Sequence, residues 1–153
     1  RQGDYTNAEA HYVMASHSFS IADHTSRLHR NACFLAQVKV RLGLIDEARW
    51  IIAHVPQGTE NEAYRLRCLT EILHAEGNNI GAVETGEDAA EIFLDRRAFY
   101  QACELFLFLS LLYDLLDNPC ERDKHMDAAE TAFLESAEHR LYRPARLLLG
   151  FPI

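Results

Sequence analysis

With 48% hydrophobic and 25% charged residues across 153 positions, the chain has the make-up of one folded domain with a sizeable core, and not that of a disordered polymer. A formal net charge of −8, from 23 acidic against 15 basic residues, has the wrong sign for neutralising phosphates, so no direct nucleic-acid role is expected. The longest weakly charged run, Leu105 to Leu116, is broken by Ser110 and Asp114 and falls short of the roughly 20 apolar residues of a membrane span.

Apolar residues recur at spacings of three and four almost throughout, and no stretch alternates with period two, so an all-α fold of about seven helices is expected. The first helix is read over 5–22, carrying Tyr12, Val13, Phe19 and Ile21, and the second over 25–42. A third over 45–54 is closed by Pro56, Gln57 and Gly58. Thr59 with Glu62 three residues on reads as a capping box opening a fourth helix over 60–76. Gly77, Asn78 and Asn79 then break the chain before a fifth helix over 80–95, and a sixth follows over 97–117. From Cys103 to Leu116 that sixth helix is apolar round most of its circumference, which suits a helix wedged between neighbours or one whose face meets a partner. Asp117, Asn118 and Pro119 separate it from a seventh helix over 121–138, and Pro144 suits the first turn of a short helix over 143–149.

Side chains with catalytic potential do not gather into a constellation. His24 and His29 are five apart and His11 and His17 six apart, so neither pair shares a helix face as metal-binding histidines at i, i+4 do. The eight histidines read as helix-surface residues. Cys33 and Cys68 lie near Arg30 and Arg67, which could favour a thiolate, but cysteine in a helix core is the plainer reading. Gly77 and Gly81 lack the Lys and Ser/Thr of a phosphate loop, and no nucleophile elbow occurs. The expectation is a protein that is not an enzyme and uses no cofactor or metal. Cys33, Cys68, Cys103 and Cys120 form no CxxC pair, and the first three recur every 35 residues in apolar stretches. Buried, reduced thiols in a cytoplasmic, reducing setting are expected.

The chain is also similar to itself. Gly43 and Ala48 recur as Gly77 and Ala82 at an interval of 34, and the same pair stands 40 residues upstream as Gly3 and Ala8. Tyr12, Ile52 and Gly86 follow each alanine by four, then Ala15, Val55 and Ala89 by three more. Large-then-small pairs stand at Leu35-Ala36, Leu69-Thr70 and Leu109-Ser110, with Tyr113 after the last. These features resemble the tetratricopeptide repeat, whose 34-residue unit pairs two helices around a turn glycine and crosses them at small residues. The chain departs from that pattern where Lys39 and Leu73 replace an aromatic, where Gly86 offers no packing side chain, and where a fourth unit needs an insertion near Pro119–Lys124 before Ala129 and Phe133.

The resemblance implies an α-solenoid of antiparallel helix pairs over residues 1–153, read as one domain. Opening on Arg1 with a half-unit at Gly3, Asp4, Tyr5 and Ala8, it reads as a piece of a longer array, with self-association through uncapped ends as a further expectation. It also implies a concave groove lined by Arg30, Cys33, Gln37 and Val40, then Tyr64, Arg67, Glu71 and His74, then Glu104, Leu107, Leu111 and Asp114. The Lys/Asn clamp by which some relatives hold acidic chaperone tails is not reproduced. The expected function is a scaffold module binding another protein or peptide through this groove or its open ends. The alternative is a peptide- or small-effector-sensing module of a bacterial transcription regulator, which the stretch Gly43 to Ala48 also resembles.

Overall fold

A computed structural model describes residues 2–21 and 24–138. Among these residues there are seven helices and no strand: α1 (Gln2–Ile21), α2 (Thr25–Arg41), α3 (Ile45–Ala53), α4 (Glu62–Ala75), α5 (Asn79–Asp95), α6 (Phe99–Leu115) and α7 (Pro119–Glu138). No described helix is long and apolar enough to cross a membrane. The short helix read over 143–149 lies outside the described residues. The chain forms two compact units, residues 1–89 and 90–153, with the division inside α5.

Unit 1 is built on α2, α3 and α4. Their apolar stripes meet in one cluster of Cys33, Ala36, Ala48, Ile52, Val55, Cys68 and Ile72, closed at its edge by Val40, Ile45 and Tyr64. Ala36, Ala48 and Cys68 are small, and each is fully buried or nearly so. A small side chain at these points lets helix surfaces interlock closely, and Ile52 and Ile72 fill the space beside them. α1 packs on α2, and polar contacts join the two: Asn31 Nδ2 donates to the Tyr12 carbonyl at 2.7 Å and to Ser16 Oγ at 2.6 Å.

Lys39 on α2 links three helices through its ammonium. Its ammonium lies 2.6 Å from Glu9 of α1 and 2.6 Å from Glu47 of α3, with only 12% of the side chain exposed. The Glu47 and Glu9 carboxylates hold its pKa above the ordinary lysine value. The largely buried stem carries its charged tip to α1 and α3 and ties the three helices together.

Unit 2 centres on α6 and α7, which pack closely. Leu105, Leu109 and Leu112 are buried on α6, as are Ala129, Ala132 and Phe133 on α7. His125 is buried too, against the rings of Tyr113 (4.8 Å) and Phe106 (5.9 Å), so it departs from the expectation that the histidines lie on the surface. Its Nδ1 lies 2.8 Å from the Glu121 carbonyl, which gives the buried ring a polar partner. α7 runs unbroken through Pro119–Lys124, so the residues read as an insertion extend the helix.

One turn geometry recurs four times. After α2, Gly43 N–H donates to the Val40 carbonyl and Leu44 N–H to Lys39. After α4, Gly77 donates to His74 and Asn78 to Leu73. After α5, Arg97 donates to Leu94 and Ala98 to Phe93, and after α6, Asp117 donates to Asp114 and Asn118 to Tyr113. This paired pattern is the Schellman cap, which needs a left-handed residue just past the helix. Gly43 (φ 78) and Gly77 (φ 82) supply it without a Cβ clash, while Arg97 (φ 55) and Asp117 (φ 54) adopt it as L-residues. Asn78 and Asn118 then cap the next helix, accepting from Gly81 N–H at 3.1 Å and Glu121 N–H at 3.3 Å. Pro119 occupies the first helical position of α7, where its missing N–H costs nothing.

Two local expectations need correction. Gly3 lies inside α1 and makes no turn, so the half-unit at the start of the chain is helix throughout. The capping box at Thr59 and Glu62 forms one step out of place. Glu62 N–H donates to the Thr59 carbonyl in a tight turn, so α4 starts at Glu62 itself. Thr59 Oγ1 accepts from Asn61 N–H at 3.3 Å, and Glu62 accepts from Gly58 N–H at 3.0 Å while pairing with Arg65.

Candidate partner-binding face

Unit 1 brings α2 and α4 side by side, and side chains some 30 to 35 positions apart in sequence meet across the seam. Gln37 Nε2 donates to Glu71 Oε1 at 2.9 Å, a contact across an interval of 34. Arg41 reaches Glu71 Oε2 at 3.2 Å, and Arg67, one turn earlier on α4, has its Nε 4.0 Å from Oε1. Glu71 is only 7% exposed. A carboxylate at that depth needs cations and donors to offset its lost hydration, and Arg41, Arg67 and Gln37 provide them.

One to two turns nearer the N-terminal end of α2, Arg30 lies over the Tyr64 ring with its guanidinium carbon 5.1 Å from the centroid. Arg30 Nε also donates to Asn61 Oδ1 at 3.4 Å, and Asn61 Nδ2 donates to the Ser26 carbonyl at 3.0 Å. Asn61 stands at the cap position of α4 but makes no capping bond there; its fully buried side chain crosses to α2 instead. Phe34 stacks on Tyr12 of α1 at 5.9 Å and meets Tyr64 edge-on at 5.6 Å, so a row of aromatic rings links α1, α2 and α4. At the far end of α4, His74 Nδ1 lies 2.8 Å from Asn79 Oδ1.

Of the residues expected in the groove, Arg30, Gln37, Tyr64, Arg67, Glu71 and His74 all belong to unit 1, and the contacts above join Arg30 to Tyr64 and Gln37 and Arg67 to Glu71. Cys33 does not line the groove: it is 1% exposed and belongs to the core, and Val40 packs on that same core. At 100° per residue, positions 33 and 40 fall on the core side of the stripe formed by 30, 34, 37 and 41. Leu107 and Leu111 are carried by α6 in unit 2, Leu107 half-buried and Leu111 62% exposed. Sequence reading missed Phe34, Arg41 and Asn61. The first two were legible as the i+4 continuation of Arg30 and Gln37. Asn61 was hidden because it looked like part of a helix cap.

The thiols near this face are not activated. Burial pushes Cys33 up to about 12, with Arg65 only partly offsetting it, and burial likewise raises Cys68 well above the ordinary thiol value. The expectation of four buried cysteines holds for Cys33, Cys68 and Cys103; Cys120, in the first turn of α7, is exposed. All four are free. Among the described residues no cluster of His, Cys, Asp and Glu could hold a metal ion.

Compared with models of protein families, with curated proteins and with solved structures, the chain matches none.

Proposed function

We propose that the chain is a tetratricopeptide-like module, an α-solenoid of antiparallel helix pairs, that binds an extended polypeptide along the α2–α4 face. The observation that carries this reading is the seam itself. The two helices carry Arg30, Arg41, Arg67 and the Tyr64 ring on a common face, with the Glu71 carboxylate held among them. In a chain of net charge −8 this is a locally basic, aromatic-bearing surface. Arg and Tyr anchor interfaces because they combine large area with directional hydrogen bonds. Acidic side chains spaced along an extended peptide would complement the arginines and steer association. The four free thiols suit a reducing, cytoplasmic setting for such an adaptor.

The test is selection of peptides from a random display library on the full chain, followed by affinity measurement on variants. Replacing Tyr64 and Arg67 together by Ala should weaken selected peptides by about 2 kcal/mol or more, roughly thirty-fold. Replacing the exposed Glu84 and Glu91 should leave affinity unchanged. Peptides that are not enriched in Asp and Glu, or that bind the double variant normally but fail on a Val13 variant, would move the function off this face and onto α1.

A further inference from the structure

Unit 2 contains a cavity of about 550 Å³ between the last turn of α5, α6 and α7. That volume lies within the range of small-molecule sites. Its apolar lining comes from Leu94, Phe99, Phe106, Ala128 and Ala132, and three polar side chains, Arg97, Thr131 and Glu135, complete it.

Arg97 carries a second, independent signal. It occupies the left-handed position of the turn between α5 and α6, where the corresponding turns after α2 and α4 use Gly43 and Gly77. L-residues held in this region persist only where the surrounding structure fixes them, and they cluster at ligand clamps. Among the described residues the Arg97 guanidinium has no hydrogen bond or ion pair, and it is exposed at the cavity. Thr131 spends its hydroxyl proton on the Asp127 carbonyl at 2.9 Å, so it offers only lone pairs and cannot help to hold an anion.

We propose that this cavity binds a small organic monocarboxylate with an apolar, ring-sized body, whose carboxylate is held by Arg97. The apolar lining takes the body and the guanidinium fork takes the two oxygens. Glu135 disfavours a second negative charge on the ligand, so a dicarboxylate is excluded. No residue of the α2–α4 face takes part, and the site stands or falls independently of peptide binding there.

The experiment titrates the full chain with 3-phenylpropionate, its neutral amide and phenylsuccinate, followed by amide-resolved NMR. The monocarboxylate should bind in the millimolar range or tighter and shift Leu94, Ala128 and Ala132. The neutral amide and the dicarboxylate should bind at least about ten-fold more weakly. Arg97→Gly removes the backbone strain together with the guanidinium, so the melting temperature should hold or rise while affinity falls about ten-fold or more. Equal binding of acid and amide, unchanged affinity in the stably folded Arg97→Gly chain, or no response to any of the three probes overturns the proposal. If a synthetic peptide of residues 139–153 perturbs these positions and the acid does not, the cavity belongs to the chain's own C-terminal segment, which overturns it equally.

Discussion

In unit 1 the turns after α2 and α4 are made by Gly43 and Gly77, for which a φ near 80° carries no Cβ penalty. In unit 2 the same hydrogen-bonded turn is made at Arg97 and Asp117, each with a φ near 55°. The two units also hold their helices together differently. Unit 1 threads polar links between helices, namely Asn31 to Tyr12 and Ser16, Lys39 to Glu9 and Glu47, and Gln37 to Glu71. In unit 2 buried leucines of α6 and buried alanines and Phe133 of α7 make the core, with His125 set among aromatic rings. Polar links there run from Arg122 to Asp114 and from Ser110 to Met126.

The units differ most sharply in their thiols. Cys33 and Cys68 of unit 1 are both sealed, whereas unit 2 pairs a buried Cys103 with an exposed Cys120. Alkylation of the native chain at neutral pH should therefore modify Cys120 first, and the other three only through opening of the fold, at least ~100-fold more slowly. Mass spectrometry of partly modified protein checks the order, and denatured protein should yield four thiols. Burial raises Cys33 from 9.0 to about 12 and Cys103 from 9.0 to about 11. The unfolded thiols lose protons first, so stability should be level below pH 9 and fall as pH rises from about 9 toward 12. A melt series that stays flat across that window, with the Cys33→Ala variant as reference, contradicts the burial.

Core substitutions separate the two packing styles. Leu109→Ala in unit 2 removes a fully buried side chain and should cost ~2–5 kcal/mol in chemical denaturation. Ala48→Leu and Ala82→Leu in unit 1 force bulk into sites of 0% exposure and should cost about 1–3 kcal/mol each. If both alanine changes are neutral, these positions are not close crossings and the repeat alignment fails with them.

Those alanines mark how far the sequence could be read. Glycine at an interval of 34 located the turns at 43 and 77, because only a backbone-permissive residue fits there without strain, and the small residues at 36, 48, 70 and 82 are all fully buried. The same reasoning failed at Gly3, where a glycine in a helix imitates a turn, and at Arg97, where a turn lacks its glycine altogether. The face residues Arg30, Gln37, Tyr64 and Glu71 were legible because helical spacing groups them. Their pairing across the seam was not, because it depends on how α2 and α4 align. Cys33 was misplaced on the groove because a spacing of three drifts sideways around a helix by 60°. The cavity in unit 2 left a trace only within single helices, Phe99 with Phe106 on α6 and Ala128, Thr131, Ala132 and Glu135 on α7, and their convergence depends on how the helices pack.

The turns themselves supply the finer comparison. Nothing lies within 4 Å of a Cβ built on Gly43, so the cost of Gly43→Ala is conformational and should be about 1 kcal/mol. Arg97→Gly, at the equivalent turn of unit 2, should carry the opposite sign and raise stability by up to ~1 kcal/mol, the greater freedom of glycine in the unfolded chain offsetting part of the relief. Asp117→Gly should gain least. Aspartate enters the left-handed region more readily than other L-residues because its short polar side chain can hydrogen-bond to local backbone, so there is less strain to remove. Its neighbour Asn118 keeps the cap on Glu121 N–H in either case, so α7 should start unchanged. A gain of a few tenths of a kcal/mol is expected, within the range of a surface substitution. Denaturant midpoints for the three variants should thus order as Arg97→Gly above Asp117→Gly, with Gly43→Ala below the parent chain. A drop in stability for Arg97→Gly would mean that the side chain holds the turn through its own contacts, and the contrast between strained and relaxed units would rest on Asp117 alone.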